Sequence, residues 1–360
     1  MEGRVTGTPR YRLRGSVEPV AGGDGSLFLV RAGSEDLVVR DALPSDHRMV
    51  ELLAAGEPSV AELADALGLS EAAVREKLDA LAGAGVLAPA ASSPPLDPED
   101  AQRYVRQLPY LAELGDERDL QRRLGAARVT VIGCGGLGTW ALAALASAGV
   151  RHVRIVDDDV VELSNLNRQI VYGVSDVGKA KVEAAAAWLS AFDPRVEVER
   201  LVLRVDGPDA AARVAAGADA LVLAADAPPY VLGRWVNSAC VEHGVPFISA
   251  GQLPPLLRVG PLYVPGRTAC FECHERALRR LSADYDGYVR HLQASPYRGA
   301  TIGPASGIAG TMLAMELVHA LVGAPAATAG AAVLLDMRTL RTRLEPVARD
   351  AGCRACQHLA

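Results

Sequence analysis

The first twenty residues carry arginines but no uninterrupted apolar core, so no secretory signal is expected in this 360-residue sequence. There is no long block of one charge either. The 37 Lys and Arg are interspersed with 43 Asp and Glu for a net charge of −6, which gives no support to nucleic-acid coating or polyanion binding. No internal repeat stands out. Six cysteines are too few for a disulfide scaffold in a chain this long. Residues 301–335 form the most apolar stretch, but Glu316 and His319 interrupt it, so a buried helix is expected there rather than a membrane span. These absences lead to the expectation of a cytoplasmic protein with no nucleic-acid and no membrane partner.

What is present is a globular balance: half the residues are hydrophobic and 22% are charged, enough to bury a core. At roughly 150 residues per domain the length suggests two domains. Residues 1–95 read as one of them. Three strand-like stretches, 11–20, 26–31 and 37–41, precede three helical ones at 48–55, 59–67 and 70–82, the second opening with the capping box Ser59-x-x-Glu62. The order suggests a small winged-helix-like α+β unit. DNA binding is disfavoured because the third helix mixes Glu71, Glu76 and Asp79 with Arg75 and Lys77. A Pro- and Ser-rich run over 90–98 reads as a linker, and residues 99–360 as the second domain.

In that second part a polar helix is expected over 100–123, followed by strands at 129–132, 153–156, 196–202 and 220–224 that alternate with helices at 138–148 and 178–192. This alternation predicts an α/β fold with a mainly parallel, Rossmann-like sheet covered on both faces. Gly133-Cys134-Gly135-Gly136-Leu137-Gly138 follows the first strand and opens a helix, the context in which glycine NH groups approach a phosphate chain. Asp157 ends the next strand, where a carboxylate accepts hydrogen bonds from ribose hydroxyls; Asp158 and Asp159 adjoin it. Cys270-Phe271-Glu272-Cys273 and Cys353-Arg354-Ala355-Cys356 have the spacing of two knuckles that complete a closed tetrahedral Zn2+ site, with redox disulfides as the alternative. Cys134 and Cys240 read as small buried hydrophobes.

The run from Gly133 through Asp157, Asn165, Arg168-Gln169, Gly178 and Lys181, with both cysteine pairs in order, resembles the ATP-dependent adenylating enzymes that activate ubiquitin-like and sulfur-carrier proteins. These include the molybdopterin synthase and thiamine-biosynthesis adenylyltransferases. The resemblance covers roughly residues 103–356. It implies nucleotide binding by Gly133, Gly135, Gly136, Gly138, Asp157, Asn165, Arg168 and Lys181, with Lys181 preferred over Lys179 by the family spacing. It also implies a Mg2+-binding carboxylate at Asp226, where Ala227 stands in place of the usual Asn. Fixed cations suit this chemistry, because a carboxylate attacks an already anionic α-phosphate and pyrophosphate leaves with more charge. Within Arg103-Tyr104-Val105-Arg106-Gln107, Arg106 is implied to reach the partner subunit's ATP site in a homodimer; a surface arginine is the plain alternative.

The front module is similar to the leader-recognition modules of ribosomal peptide pathways, which add a leader peptide to a sheet edge. Microcin-type peptide-adenylating enzymes join the two parts in this order. The expected activity is therefore adenylation of a carboxylate on a ribosomally made precursor peptide. The alternatives are adenylation of the C-terminal Gly of a ubiquitin-like carrier protein and non-catalytic delivery of a leader peptide. Residues 281–300, with Tyr285, Tyr288 and Tyr297, match a region that in relatives contains a mobile loop passing over the substrate tail; a solvated surface loop is the equal alternative.

Overall fold

The computed structural model describes residues 9–31, 35–88, 93–294 and 300–359. Tyr297 and residues 90–92 of the linker lie outside them. The chain forms two compact units, Met1–Arg122 and Arg123–Ala360.

In the first unit, β1 (Arg12–Leu13) is followed by β2 (Val17–Ala21), β3 (Leu27–Arg31) and β4 (Leu37–Val39). The stretch 11–20 is not one strand. A turn at Gly15 and Ser16 divides it, and a Cβ on Gly15 would fall 2.6 Å from Pro109 Cβ. Helices α1 (Pro44–Ala55), α2 (Val60–Leu67) and α3 (Glu71–Gly83) follow, and β5 (Leu87–Ala88) returns to pair with β1. Ser59 and Glu62 form the capping box reciprocally. Leu27 and Leu29 from the sheet meet Met49, Leu53, Leu63, Val74 and Leu78 from the helices in one core. The polar helix expected over 100–123 is three pieces, α4 (Pro98–Arg103), α5 (Leu108–Ala112) and α6 (Glu117–Ala126). Asp97 caps the first, and Pro109 starts the second, where it cannot continue a preceding helix.

The second unit is built on β6 (Arg128–Ile132), α7 (Gly136–Ala148), β7 (His152–Val156), α8 (Lys181–Phe192), β8 (Glu197–Leu201), α9 (Pro208–Ala215) and β9 (Ala220–Leu223). It continues with α10 (Val231–His243), β10 (Phe247–Leu253), β11 (Leu256–Tyr263), α11 (Phe271–Leu281), α12 (Tyr285–Ala294), α13 (Gly303–Val322), β12 (Ala331–Asp336) and β13 (Thr342–Pro346). The eight strands lie in the order β8-β7-β6-β9-β10-β11-β12-β13. Pairing is parallel from β8 to β10 and antiparallel from there on. The order reverses between β6 and β9, the topological switch point at which open α/β sheets bind ligands. Helix α13 is apolar and long enough to cross a membrane by composition, yet its Ala309, Leu313 and Leu317 are buried and it packs along α7 and the sheet. Gly310 permits that approach, since a Cβ there would sit 2.7 Å from both Leu137 O and Trp140 Cβ. Within residues 281–300 the structure places a helix, α12, with Tyr285 buried and Tyr288 exposed.

Candidate active site

The site grows from the carboxyl ends of β6, β7 and β9. Gly133 leaves β6 at φ +93°, which glycine adopts without strain, and a Cβ there would come within 2.6 Å of the Ala225 nitrogen. A Cβ on Gly138 would lie 1.8 Å from the Gly133 carbonyl oxygen, and one on Gly136 would lie 2.8 Å from Ser306 Oγ. The glycines therefore let the loop fold back on the first turn of α7, whose amides point out of the helix start.

Asp157 is tied to this loop. Its Oδ2 accepts from the Cys134 amide at 2.6 Å and its Oδ1 from the Asp159 amide at 2.8 Å. Burial raises its carboxyl pKa, while Lys181 and the two amides act the other way. Each oxygen keeps acceptor capacity beyond these bonds, so ribose hydroxyls can still be received.

The two lysines considered from sequence are placed differently. Lys181 opens α8 with its side chain 7% exposed, and its Nζ donates to Asp159 Oδ2 at 2.7 Å. Asp159 is 68% exposed, so its charge stays hydrated with or without the ammonium. Lys179 sits on the surface, paired with Asp176 at 2.9 Å. The segment between them is anchored by Tyr172, whose hydroxyl donates to Cys134 O at 3.0 Å and lies 3.3 Å from Lys181 O.

Asn165 is buried, and its Oδ1 accepts from the Glu162 amide at 3.0 Å, closing the turn that precedes Arg168. The half-buried Arg168 donates to Ser164 O at 3.0 Å and Asn167 Oδ1 at 2.9 Å, and pairs with no carboxylate among the described residues. Its stem borders the loop, 3.4 Å from where a Gly136 Cβ would be. Asp226 is exposed, three residues beyond β9, and enters no hydrogen bond or ion pair among the described residues. A hard divalent cation shared with phosphates needs one or two such carboxylates, so Asp226 fits Mg2+. Arg106 is exposed in the turn between α4 and α5 and belongs to the first unit.

Sequence reasoning missed a polar trio beside the loop. Gln252 at the end of β10 donates to Ser306 Oγ at 3.2 Å, and Thr301 bonds both Gln252 Oε1 and Ser306 Oγ. They stand at the start of α13, with Gly303 close under the Asn167 carbonyl. Gln169, buried beside Gly135, has an Oε1 with no hydrogen-bond partner among the described residues.

The four paired cysteines converge on one point. Cys270 and Cys273 Sγ are 3.8 Å apart, Cys270 and Cys353 3.6 Å, and Cys273 and Cys356 3.6 Å; all four lie within 4.8 Å and are buried. A tetrahedron with metal–sulfur bonds of about 2.3 Å has edges of about 3.8 Å, so this cage fits zinc rather than two disulfides. The Asp350 amide lies 3.4 Å from Cys273 Sγ, a contact suited to a thiolate. Cys134 and Cys240 are also buried, and burial pushes both thiols up, Cys240 to about 12.

The ThiF family matches residues 104–355, and the bacterial regulatory protein arsR family matches residues 47–88. The SAMP-activating enzyme E1 of Haloferax volcanii is 41% identical over 176 residues, 47% of this chain and 62% of that protein, so this chain spans less than two thirds of its length. The sulfur carrier protein ThiS adenylyltransferase of Escherichia coli is 30% identical over 72% of this chain and 97% of its own. Among solved structures, E. coli MccB with ATP superposes with a TM-score of 0.77 at 24% identity, over 96% of this chain and 99% of its own; the same protein, described as a microcin C7 biosynthetic enzyme, has been solved with N-formylated MccA. The family match runs across well over half the sequence and takes in both the glycine loop and the first three of the caged cysteines, and on that ground this chain belongs to the ThiF family.

Proposed function

We propose that this chain transfers AMP from ATP to a carboxylate on a ribosomally made precursor peptide and releases pyrophosphate. The observation that carries the reading is the meeting of the glycine loop, Asp157 and the buried Lys181 at the sheet's switch point, with the half-buried Arg168 and the exposed Asp226 at its rim. The choice of a peptide is supported by the superposition on MccB, which spans the front module as well as the catalytic unit. Similarity to the ThiS adenylyltransferase favours a second reading, a carrier protein ending in Gly.

In the proposed reaction a carboxylate oxygen of the acceptor forms a bond to the α-phosphorus while the bond to the bridging oxygen of pyrophosphate breaks. The loop amides and the N-terminus of α7 receive phosphate oxygens, and Asp157 receives the ribose. Lys181 leaves Asp159 to meet charge as it gathers on the α-phosphate, and Arg168 offers its fork to the departing oxygens. Asp226 would hold a Mg2+ ion, which when bound would supply further neutralisation of phosphate charge. Arg106 supplied by a second copy would complete the set in a homodimer.

Exchange of labelled pyrophosphate into ATP tests the reading. Exchange is expected with a precursor peptide encoded beside this chain; exchange with a Gly-Gly-ended carrier alone selects the second reading. No exchange with either, together with an Arg168→Ala variant that leaves the pathway product intact, makes the chain a binding module. Asp226→Asn is expected to raise the Mg2+ concentration needed for half-maximal exchange at least tenfold, while leaving zinc content unchanged.

We also propose that the cysteine cage holds one Zn2+ per chain as a structural ion. Removal with a strong chelator is expected to lower the thermal unfolding midpoint by several degrees and to release the Cys353–Cys356 segment to proteolysis, because a closed thiolate site contributes folding free energy directly. An unchanged midpoint after verified metal loss would assign the cage no such role.

A further inference from the structure

Arg258, on β11, is a cation without a counter-ion among the described residues. Its Nη2 donates to His274 Nε2 at 2.5 Å, and His274 Nδ1 stands 2.8 Å from the Tyr263 hydroxyl, so the imidazole gives the guanidinium a lone pair but no negative charge. No carboxylate pairs with Arg258 among the described residues, and its buried Nε–H has no acceptor. Arg234 nearby is treated otherwise: it forks onto the buried Glu275 at 2.6 and 3.0 Å. A part-buried guanidinium left this way is costly, and the cost is removed by an incoming anion.

The surroundings say where that anion comes from. Gly251 is the cross-strand partner of Arg258, and a Cβ built on it meets nothing within 4 Å among the described residues, which leave the face beside the guanidinium uncovered. The charge also reaches Tyr230, whose phenol is raised by burial and by Tyr288 and opposed by Arg258; Tyr230 sits four residues after Asp226. Gln252 is next to Gly251 and projects to the opposite face of the strand, where it bonds Ser306 beside the glycine loop. Arg258 thus lies on the opposite face of the strands from the Gln252 contact with Ser306 beside the glycine loop, which makes it suited to a group other than the carboxylate that is activated.

We infer that Arg258 is the receptor for a second carboxylate of the acceptor chain, a side-chain Asp or Glu close to the end that is adenylated. The inference rests on the acceptor-adenylating reading above and extends it to substrate selection. A bidentate guanidinium–carboxylate pair in a part-buried site discriminates Asp from Asn by charge as well as by shape.

The test is equilibrium binding, without ATP, of synthetic hexapeptides with a free C-terminus, carrying one Asp at each of the three positions before the last residue, each with its Asn twin. One Asp peptide is expected to bind the intact chain at least tenfold tighter than its twin. That preference is expected to disappear in Arg258→Gln, which keeps an N–H donor but no charge, and to persist in part in Arg258→Lys. Zinc content and ATP affinity are expected to stay within about twofold in both variants, since neither site touches Arg258. Equal affinity for every pair, no peptide binding, or a preference that survives Arg258→Gln overturns the inference. Because no turnover is needed, a failure of the adenylation reading shows separately in pyrophosphate exchange.

Discussion

Lys181→Ala is expected to lower the rate of peptide-dependent pyrophosphate exchange by roughly 10²–10³-fold, the loss typical of removing one fixed charge aimed at a developing transition-state anion. The ammonium is sequestered from water, with a side chain 7% exposed, so its field at a nearby phosphate is weakly screened. It is also pre-positioned by the start of α8 and by the Tyr172 bonds to Cys134 O and Lys181 O, which tie that helix start to the glycine loop. Lys179→Ala removes an ammonium two residues away that is 57% exposed and already paired with Asp176, and is expected to change the rate by less than about threefold. Lys181→Arg is not expected to restore activity, because a planar fork does not fit the space of a buried point charge. The measurement is kcat for exchange in the three variants. Equal losses at 179 and 181 would show that the general positive field, rather than the buried lysine, carries the step.

Much of this site was legible because its residues sit at fixed offsets from local structure. The glycine loop follows an apolar strand directly and Asp157 ends the next one, so periodicity and turn chemistry located both. Even there the start of α8 differs from the expected helix over 178–192: Gly178 has φ +91°, outside the helical region, and the helix begins at Lys181. That difference places the lysine at a helix start rather than one turn inside. Gln252, Thr301 and Ser306 carried no signal at all, because they come from β10 and from the approach to α13, far from the loop in sequence. Only the antiparallel half of the sheet and the packing of α13 on α7 bring them in. Arg258 was invisible for a related reason: being without a carboxylate is a property of its neighbours in space. The helix expected over 100–123 failed for a local reason that its polar pattern concealed, since Pro109 and Gly115 break the chain into short pieces.

Gly138→Ala sets two physical effects against each other, and their sizes decide the outcome. Helix propensity alone favours alanine over glycine by about 1 kcal/mol at a helical position. Against it, the new methyl would lie 1.8 Å from the Gly133 carbonyl oxygen, a backbone atom held by the Gly133 amide bond to Val156 O at 2.8 Å and by a φ of +93°. Relief requires the loop to move by more than an ångström, and overpacking of this kind costs about 3 kcal/mol. The net expectation is destabilisation by about 2 kcal/mol, from these two opposed values. ATP affinity is expected to fall more than tenfold, since the displaced segment is the one proposed to offer its amides to phosphate. Gly125, inside α6, is the control: a Cβ there meets nothing closer than 3.8 Å, so Gly125→Ala is expected to raise stability by up to about 1 kcal/mol and leave ATP binding unchanged. Chemical denaturation and equilibrium ATP titration of the two variants separate the terms. Parallel behaviour of the two would mean that the close approach of α7 to the glycine loop does not govern the nucleotide site.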